Sequence, residues 1–387
     1  MDIKPLIDDQ YTGLPSKRTL DRILQKRREG KRGIGVYCAY APVELIRAMG
    51  ATPITLCAFS NKTIPDAEKV LPSNLCPLIK SSYGFITTNT CPFFELSEAV
   101  IAETTCDGKK KMFELISSIK PMHVMDLPQI PDTDEAKANW TVMIQKLKSF
   151  LETTFETTIS NENIEREIRD TNEKNRLMQR FFEYAVPHPP VLCATEMYDV
   201  ISLATVLGAQ ELREVLEPAT AILDGRIKNG LFFGSKASPR VLVSGCPVNG
   251  DSAKVLRTIE KAGGVIVALE ACSGMKPFLM QIDEGTSDPL AALAKAYLTI
   301  PCSCMTPNTR RLTSLDEMID KFKPDAIVDV ILQACHSYNV ESHTVEQHIK
   351  AKHGLSFLKI ETDYSSGDVE RIRVRVEALL ESCLDRS

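Results

Sequence analysis

Twelve cysteines are spread through this 387-residue chain, and several of them follow runs of β-branched apolar residues. Cys106 comes after the run 99–102, and Cys335 comes after a similar run over 326–332. A helical stretch follows each thiol, so both are predicted at the carboxyl end of a strand, the edge where open α/β sheets bind ligands. Thiolates at such an edge can bind a metal or take part in redox chemistry.

The elements that must position these thiols form two copies of one α/β plan. Strands are predicted near 33–38, 52–57, 99–103 and 122–127 in the first copy, and near 240–246, 264–272, 325–334 and 355–361 in the second. Aligning the copies pairs Cys38 with Cys246, Cys57 with Cys272, the Cys76 and Cys91 region with Cys302 and Cys304, and Cys106 with Cys335. Ten cysteines are therefore expected on the carboxyl edge, whereas Cys193 and Cys383 are expected to be packing residues.

The fold class predicted from this plan is α/β, with two similar open, mainly parallel sheets of flavodoxin or Rossmann type and a helical connector. The predicted boundaries are an N-terminal helical arm over 1–32, a first α/β domain over 33–133, a helical connector over 134–235 and a second α/β domain over 236–387. Apolar residues at helical spacing, beginning at Trp140, indicate the connector. The basic amphipathic helix of the arm is predicted to be solvated, with a partner surface as the alternative.

Charge and composition argue against several classes of binding partner. The formal net charge is -5, and no basic stripe interleaved with aromatic residues is present, so nucleic acid is not an expected partner. The N-terminus has no basic segment leading into an apolar run, and no eighteen consecutive apolar residues occur, so a cytoplasmic location without membrane contact is predicted. Because neither a phosphate-binding loop nor a dinucleotide fingerprint is present, no nucleotide is expected on this chain.

The spacing of the thiols favours an iron–sulfur cluster over zinc or a dithiol redox site. Structural zinc takes ligands in closely spaced pairs, but Cys302 and Cys304 are the one close pair, and Cys-x-x-Cys is absent. Single cysteines that converge from several strand ends suit an iron–sulfur cluster. Packing in the core is the alternative interpretation for any one of these residues.

Two stretches carry a resemblance to a known family: 74–84, which reads NLCPLIKSSYG, and 103–111, which reads ETTCDGKKK, followed much later by Cys335-His336. They resemble the 2-hydroxyacyl-CoA dehydratase and benzoyl-CoA reductase superfamily, and the similarity to its double-cubane cluster proteins covers nearly the whole chain. The resemblance implies that Cys76, Cys106 and Cys335 hold one four-iron cluster. The additional cysteines, which match the double-cubane branch, include Cys38, Cys91, Cys272, Cys302 and Cys304.

That branch implies two bridged 4Fe-4S units held by six thiolates, in a homodimer served by a separate ATP-hydrolysing iron–sulfur reductase. The function predicted is therefore a reductase component that accepts low-potential electrons and reduces a small unsaturated molecule. The six predicted ligands are Cys38, Cys76, Cys106, Cys272, Cys304 and Cys335, with Cys302 and Cys91 as the closest substitutes.

His336, next to a ligand, and Glu44, at the start of a helix, are candidate proton donors if they face the cleft. Otherwise they are a core histidine and an N-terminal helix carboxylate. The run 109–111, three lysines, either stabilises cluster charge, docks a partner or is a solvated helix face. Two other functions stay open: a dehydratase subunit that acts on an acyl-CoA thioester with one four-iron cluster, and an electron-storage protein without its own substrate.

Overall fold

Eight parallel strands form two separate four-stranded sheets in the computed structural model, which describes residues 17–385. The first sheet consists of β1 (Gly33–Val36), β2 (Thr52–Thr55), β3 (Ala99–Glu103) and β4 (Met122–Met125). The second consists of β5 (Arg240–Gly245), β6 (Val265–Glu270), β7 (Ala326–Leu332) and β8 (Ser356–Thr362). Each predicted strand is present, and the predicted α/β fold class is confirmed. The first half of the predicted N-terminal arm, 1–16, lies outside the described residues.

The two sheets share one topology, which confirms the internal repeat. Their strand orders are β2-β1-β3-β4 and β6-β5-β7-β8, and every neighbouring pair is parallel. In both sheets the second strand lies on one side of the first strand, and the third and fourth strands lie on its other side. The crevices at the carboxyl ends of β1 and β3, and of β5 and β7, are therefore topological switch points, where such sheets bind ligands.

The central strands are buried on both faces, as parallel strands covered by helices should be. Every residue of β1, β3, β5 and β7 is buried. The outer strands β4 and β8 are partly exposed, which fits their places at sheet edges. At the end of β5, Gly245 has a φ of +109°, and a Cβ there would lie 2.3 Å from the Val330 carbonyl oxygen. Glycine is therefore required where the chain leaves β5.

Helices surround both sheets. Those of the first half are α1 (Lys17–Arg28), α2 (Val43–Ala48), α3 (Ile64–Ala67), α4 (Pro77–Thr87), α5 (Pro92–Glu95) and α6 (Asp107–Ile116). Those between the sheets are α7 (Asp134–Phe155), α8 (Asn161–Phe182), α9 (Ala194–Ala204) and α10 (Ala209–Lys228). Those of the second half are α11 (Lys254–Lys261), α12 (Pro289–Tyr297), α13 (Thr309–Phe322), α14 (His336–His353) and α15 (Val369–Leu384).

Of the helices between the sheets, α7 packs on the first sheet through β4. Thr133 and Ser160 cap α7 and α8 by accepting hydrogen bonds from the third residue beyond them. Trp140 and Ile144 of α7 are fully buried in the core layer that covers one face of the first sheet. The domain boundaries at 33, 134 and 236 remain predictions.

Two helices, α1 and α12, pack against parts of the chain that are distant from them in sequence. The basic helix α1 packs against α9 and β2, with Ile23 buried and Lys26 paired to Glu211 at 2.6 Å, so its apolar side is not solvated. The helix α12 belongs to the second half by sequence but packs on α7, the connecting helix that covers one face of the first sheet. Among residues 17–385, no helix combines the length and apolar character needed to cross a membrane.

Candidate cysteine site between the two sheets

Four cysteines lie at the two switch points. Cys38 follows β1 and Cys106 follows β3, while Cys246 follows β5 and Cys335 follows β7. The chain turns sharply at two of these places, because Cys38 and the residue before Cys335 have left-handed φ angles of 59° and 58°. Such angles are unfavourable for residues with a Cβ and persist where surrounding contacts impose them, commonly at functional sites.

The carboxyl edges of the two sheets face each other. The amide of Asp251, beyond β5, donates to the Phe59 carbonyl oxygen, beyond β2, at 2.8 Å. The Asp251 carboxylate accepts a hydrogen bond from the Asn61 amide at 2.7 Å, and the rings of Phe59 and Tyr364 lie 6.4 Å apart. The loops that carry the thiols of both halves therefore meet in one interior region.

One set of thiols, called here the first thiol group, consists of Cys76, Cys106, Cys246 and Cys335. Burial, with smaller contributions from the neighbouring Cys335 and Cys106, raises the pKa of Cys76 to about 12. Cys246 donates a hydrogen bond to Cys335 and thereby lowers the pKa of the Cys335 thiol. Three of these four residues are the predicted set for one cluster, and the structure adds Cys246 to them.

A second thiol group consists of Cys38, Cys57, Cys272, Cys302 and Cys304. The hydrogen bond from Cys304 lowers the pKa of Cys302 to about 6, even though burial opposes this shift. Burial raises the pKa of Cys272 to about 11, and the charge of Cys302 contributes in the same direction. Burial likewise raises the pKa of Cys38, with a smaller contribution from Cys57.

The two groups adjoin through Cys302. Burial raises the pKa of Cys106, and the negative charge of Cys302 adds to that shift. The loop that carries Cys302 reaches the first half because α12 packs there, and the Tyr40 hydroxyl donates to the Ile300 carbonyl oxygen at 3.0 Å. The same hydroxyl lies 4.0 Å from the Cys304 sulfur. A loop of the second half thus completes a thiol group that begins at β1 in the first.

A buried lysine compensates charge in this region. Lys109 Nζ donates to the Cys38 sulfur at 2.7 Å. Burial alone would lower the pKa of Lys109, but the negative charges that the sulfurs of Cys38, Cys57 and Cys106 carry when ionised outweigh it and raise that pKa. The other lysines of the run are surface residues, since Lys110 pairs with Asp107 and Lys111 pairs with Glu114, each at 2.8 Å. Only the first lysine therefore fits the predicted role of stabilising cluster charge.

Three buried tyrosine hydroxyls in this region have no hydrogen-bond partner within residues 17–385: those of Tyr37, Tyr338 and Tyr364. Burial raises the pKa of each, and nearby thiols contribute: Cys272 and Cys302 at Tyr338, and Cys76 and Cys57 at Tyr364. An orphaned buried hydroxyl is costly. The sulfur atoms of a bound cluster would accept hydrogen bonds from such donors, so these residues fit a cofactor between the two thiol groups.

The thiols are too widely spaced for a single metal ion. Across the described part of the chain, no three cysteine sulfurs lie within 4.8 Å of one another. A mononuclear site needs ligand atoms that converge on one point, whereas an iron–sulfur cluster has several irons and accepts more distant ligands. The arrangement fits the larger group.

A comparison with known protein families identifies the chain. The profile of 2-hydroxyglutaryl-CoA dehydratase, D-component, matches residues 38–383. The chain belongs to this family. The superfamily indicated by the two sequence stretches is thus confirmed, and the match begins at the first strand-end cysteine.

Relatives in the dehydratase family match this chain over nearly its full length. A putative dehydratase subunit, YjiM, of Escherichia coli (strain K12) is 39% identical over 97% of this chain and 98% of its own. The lactoyl-CoA dehydratase subunit beta of Anaerotignum propionicum is 24% identical over 92% of this chain and 93% of its own. The (R)-2-hydroxyglutaryl-CoA dehydratase subunit beta of Acidaminococcus fermentans is 22% identical over 99% of this chain and 100% of its own.

Neither predicted proton donor of this dehydratase-family chain has a hydrogen bond to a cysteine among the described contacts. Glu44 is fully buried, and its two carboxylate oxygens accept hydrogen bonds from Thr171 at 2.7 Å and Tyr297 at 2.8 Å. This placement corresponds to the structural alternative for Glu44. His336 is the first residue of α14 and is exposed, so it is not the core histidine of the alternative interpretation.

The sequence interpretation missed a carboxylate that the structure places in the thiol region. Glu103 is the last residue of β3 and fully buried, its Oε1 accepts from the Ala41 amide, and its Oε2 has no partner in the described residues. Burial raises the pKa of Glu103 to about 8, although Lys109 opposes the shift. The available signal was an acidic residue ending an otherwise apolar strand.

Three cysteines lie elsewhere. Cys91 does not share the carboxyl edge with Cys76, because it precedes α5 on the return to the amino end of β3 and accepts from the Phe94 amide at 3.3 Å. The expectation that it lies beside the strand-end thiols is therefore wrong. Cys193 sits before α9, next to Glu196, and the Cys383 sulfur lies 3.9 Å from the Asp325 carbonyl oxygen.

A buried ionic network supports the second half of the site. The Arg311 side chain is fully buried and contacts Glu270 at 3.3 Å, Asp329 at 3.5 Å and Ser244 at 2.9 Å. Lys276 Nζ lies 2.6 Å from the other oxygen of Glu270, and its charge opposes the rise in the pKa of nearby Cys272. The network thus holds a cation beside the second thiol group.

Proposed function

We propose that this chain is the iron–sulfur component of a dehydratase-type system, and that its cofactor is a double-cubane cluster. The observation that carries the proposal is the presence of two adjoining groups of four and five thiols at facing sheet edges. One 4Fe-4S cluster takes at most four cysteine ligands, so a single cluster would leave the second group without a role. When bound, such a cluster supplies one-electron transfer at low potential.

The residues proposed to hold the cluster follow the two groups. Cys76, Cys106 and Cys335 are assigned to one unit, and Cys38, Cys272 and Cys304 to the other, as the sequence predicts. Cys302 is the first substitute for Cys304, because in that hydrogen-bonded pair Cys302 has the lowered pKa and metal ligands must be thiolates. Cys246 is a substitute in the first thiol group.

Other residues of the chain define the environment. Lys109 places a positive charge against the Cys38 sulfur and favours its thiolate form. The buried hydroxyls of Tyr37, Tyr338 and Tyr364 can donate hydrogen bonds into the region between the thiol groups. Burial of these groups excludes water, which strengthens the electrostatic effect of each of them.

The proposal assigns ATP hydrolysis to a separate activator protein that carries its own iron–sulfur cluster. This chain has no phosphate-binding loop in its sequence. We further propose that it acts as a cytoplasmic homodimer on a small unsaturated molecule, as the resemblance to double-cubane proteins implies.

The isolated chain should hydrolyse no ATP, whereas mixing it with an ATP-hydrolysing activator should oxidise that reduced activator in an ATP-dependent manner. Absorbance of the activator cluster and release of phosphate measure the two events. The activator alone is the control for background hydrolysis. Phosphate release by the pure chain would contradict the division of labour.

A second candidate function is favoured by the relatives themselves. Two of them are named as beta subunits of lactoyl-CoA and (R)-2-hydroxyglutaryl-CoA dehydratases and match over more than nine-tenths of both chains. In that function the chain would act on a 2-hydroxyacyl-CoA thioester with a different subunit. Turnover of such a thioester only after addition of a second subunit, together with about four irons per chain, would select this function.

We propose Glu103 as the proton donor, because its free carboxylate oxygen is buried and the carboxylate interacts electrostatically with Lys109 and with the Cys38 and Cys302 thiols. Glu103→Gln should lower the reduction rate about 100-fold or more while iron content stays unchanged. Since the pKa of Glu103 is raised to about 8, the wild-type rate should fall as pH rises above that value.

Glu44→Gln is the matched comparison, since it removes the buried carboxylate that the sequence predicts as a donor. Its hydrogen bonds to Thr171 and Tyr297 predict a loss of stability and a nearly unchanged rate. The opposite pattern, with the rate lost at Glu44 and kept at Glu103, would restore the donor predicted from the sequence.

A further inference from the structure

A second group of metal-ligating side chains lies outside the cysteine site. Asp316 of α13 faces His348 and His353 of α14. The Asp316 Oδ1 atom is 2.8 Å from His348 Nε2 and 2.6 Å from His353 Nε2. The ligand atoms of all three residues lie within 4.8 Å of one another, and within residues 17–385 this is the one such group of His, Cys, Asp or Glu side chains.

This group is distant from the thiols. The helix α14 begins directly after Cys335, and His353 is its last residue. At 1.5 Å per residue, the two ends of that helix are separated by about 25 Å. The histidines therefore lie toward the amino ends of the second sheet's strands and play no part in the function proposed for its carboxyl edge.

The three side chains are held in place before any ion binds. Each is less than a quarter exposed, and the two imidazole rings meet edge to face with centroids 6.3 Å apart. Both rings direct Nε2 at the same carboxylate oxygen, although the carboxylate has two oxygens. The second oxygen, Oδ2, pairs with Lys352 at 2.6 Å. Two nitrogens and one oxygen thus converge on one region that remains accessible to solvent.

We propose that Asp316, His348 and His353 form a binding site for a divalent transition-metal ion, with zinc as the best-suited ion, which links α13 to α14. Imidazole and carboxylate are established zinc ligands, and three protein ligands leave a fourth position for water. Ligand atoms 2.0–2.1 Å from zinc lie about 3.3 Å apart in a tetrahedron. The two nitrogen–oxygen separations of 2.8 and 2.6 Å therefore need to open by about 0.5 and about 0.7 Å, with the ion replacing the hydrogen-bonding protons.

Lys352 determines how strongly the ion binds. Its ammonium group neutralises Asp316 in the absence of metal and repels an incoming cation. An aspartate side chain is ionised at neutral pH, so the Asp316 carboxylate can bind a cation there.

Zinc binding should be measured on the full chain purified anaerobically with its cofactor, equilibrated with zinc chloride at pH 7.5 and desalted. Wild-type protein should retain one zinc ion per chain more than the double variant His348→Ala/His353→Ala. His343→Ala is the matched control, because His343 is an exposed histidine on the same helix and should retain the wild-type amount. Zinc bound by thiols is common to all variants and cancels in the comparison.

Lys352→Ala keeps all three ligands and removes the competing cation, so it should tighten zinc binding about two- to fivefold. This variant decides the question if the double variant does not fold. Equal zinc content in wild type and double variant would overturn the proposed site, and so would zinc binding that is unchanged or weaker in Lys352→Ala. The three residues would then serve only to link α13 and α14 by hydrogen bonds.

Discussion

Cys38→Ala should lower the iron content of the anaerobically purified protein from about eight atoms per chain to about four and should abolish ATP-dependent reduction. Cys38 is the proposed ligand that the first sheet contributes to the second thiol group, and Lys109 stabilises its thiolate at 2.7 Å. Without it, that group retains Cys57 from the first half, and Cys272 with the Cys302 and Cys304 pair from the other half. Iron analysis and oxidation of the reduced activator are the measurements.

Cys193→Ala is the control, since Cys193 lies at the start of α9 with Glu196 and Glu260 as neighbours and has no proposed ligand role. It should retain full iron content and full activity. Full iron loading in the Cys38 variant would contradict the assignment and return Cys38 to a packing role. Loss of all iron would instead show that the two thiol groups do not bind their units independently.

Arg311→Leu should lower the free energy of unfolding by about 3–5 kcal/mol. Arg311 is fully buried against the carboxylates of Glu270, Asp329 and Glu341, and its loss leaves those groups with Lys276 as the remaining buried cation. An uncompensated buried carboxylate is costly because it has lost its hydration without gaining a partner. Urea denaturation followed by circular dichroism measures the change.

Arg310→Ala is the matched control on the same helix. Arg310 is 39% exposed and pairs with Asp132 on the surface, so its removal should cost less than about 1 kcal/mol. Equal effects at the two positions would show that the buried network contributes no more than a surface ion pair.

The fold could be predicted largely from the sequence because its signals are local. Buried parallel strands read as continuous β-branched runs, and helices separate them along the chain, so all eight strands were identified. The repeat was recognisable for the same reason, and it also contained the signal for Cys246. Cys246 follows β5 as Cys38 follows β1, yet the six ligands predicted from the sequence do not include it.

The site was less predictable because it depends on contacts between distant parts of the chain. Nothing local shows that α12 packs on α7 and that the following loop brings Cys304 near Cys38 of the first sheet. Helix periodicity alone also could not show that Lys109 turns inward while its neighbours stay exposed. Cys91 was misplaced because its loop runs beyond α4 to the opposite edge of the sheet.

Iron and acid-labile sulfide per chain, measured on anaerobically purified wild-type protein, test the central claim most directly. Two thiol groups that hold two bridged four-iron units predict about eight irons per chain. A value of about four irons, unchanged after reconstitution with excess iron and sulfide, would contradict the double-cubane proposal and favour a dehydratase subunit with one cluster.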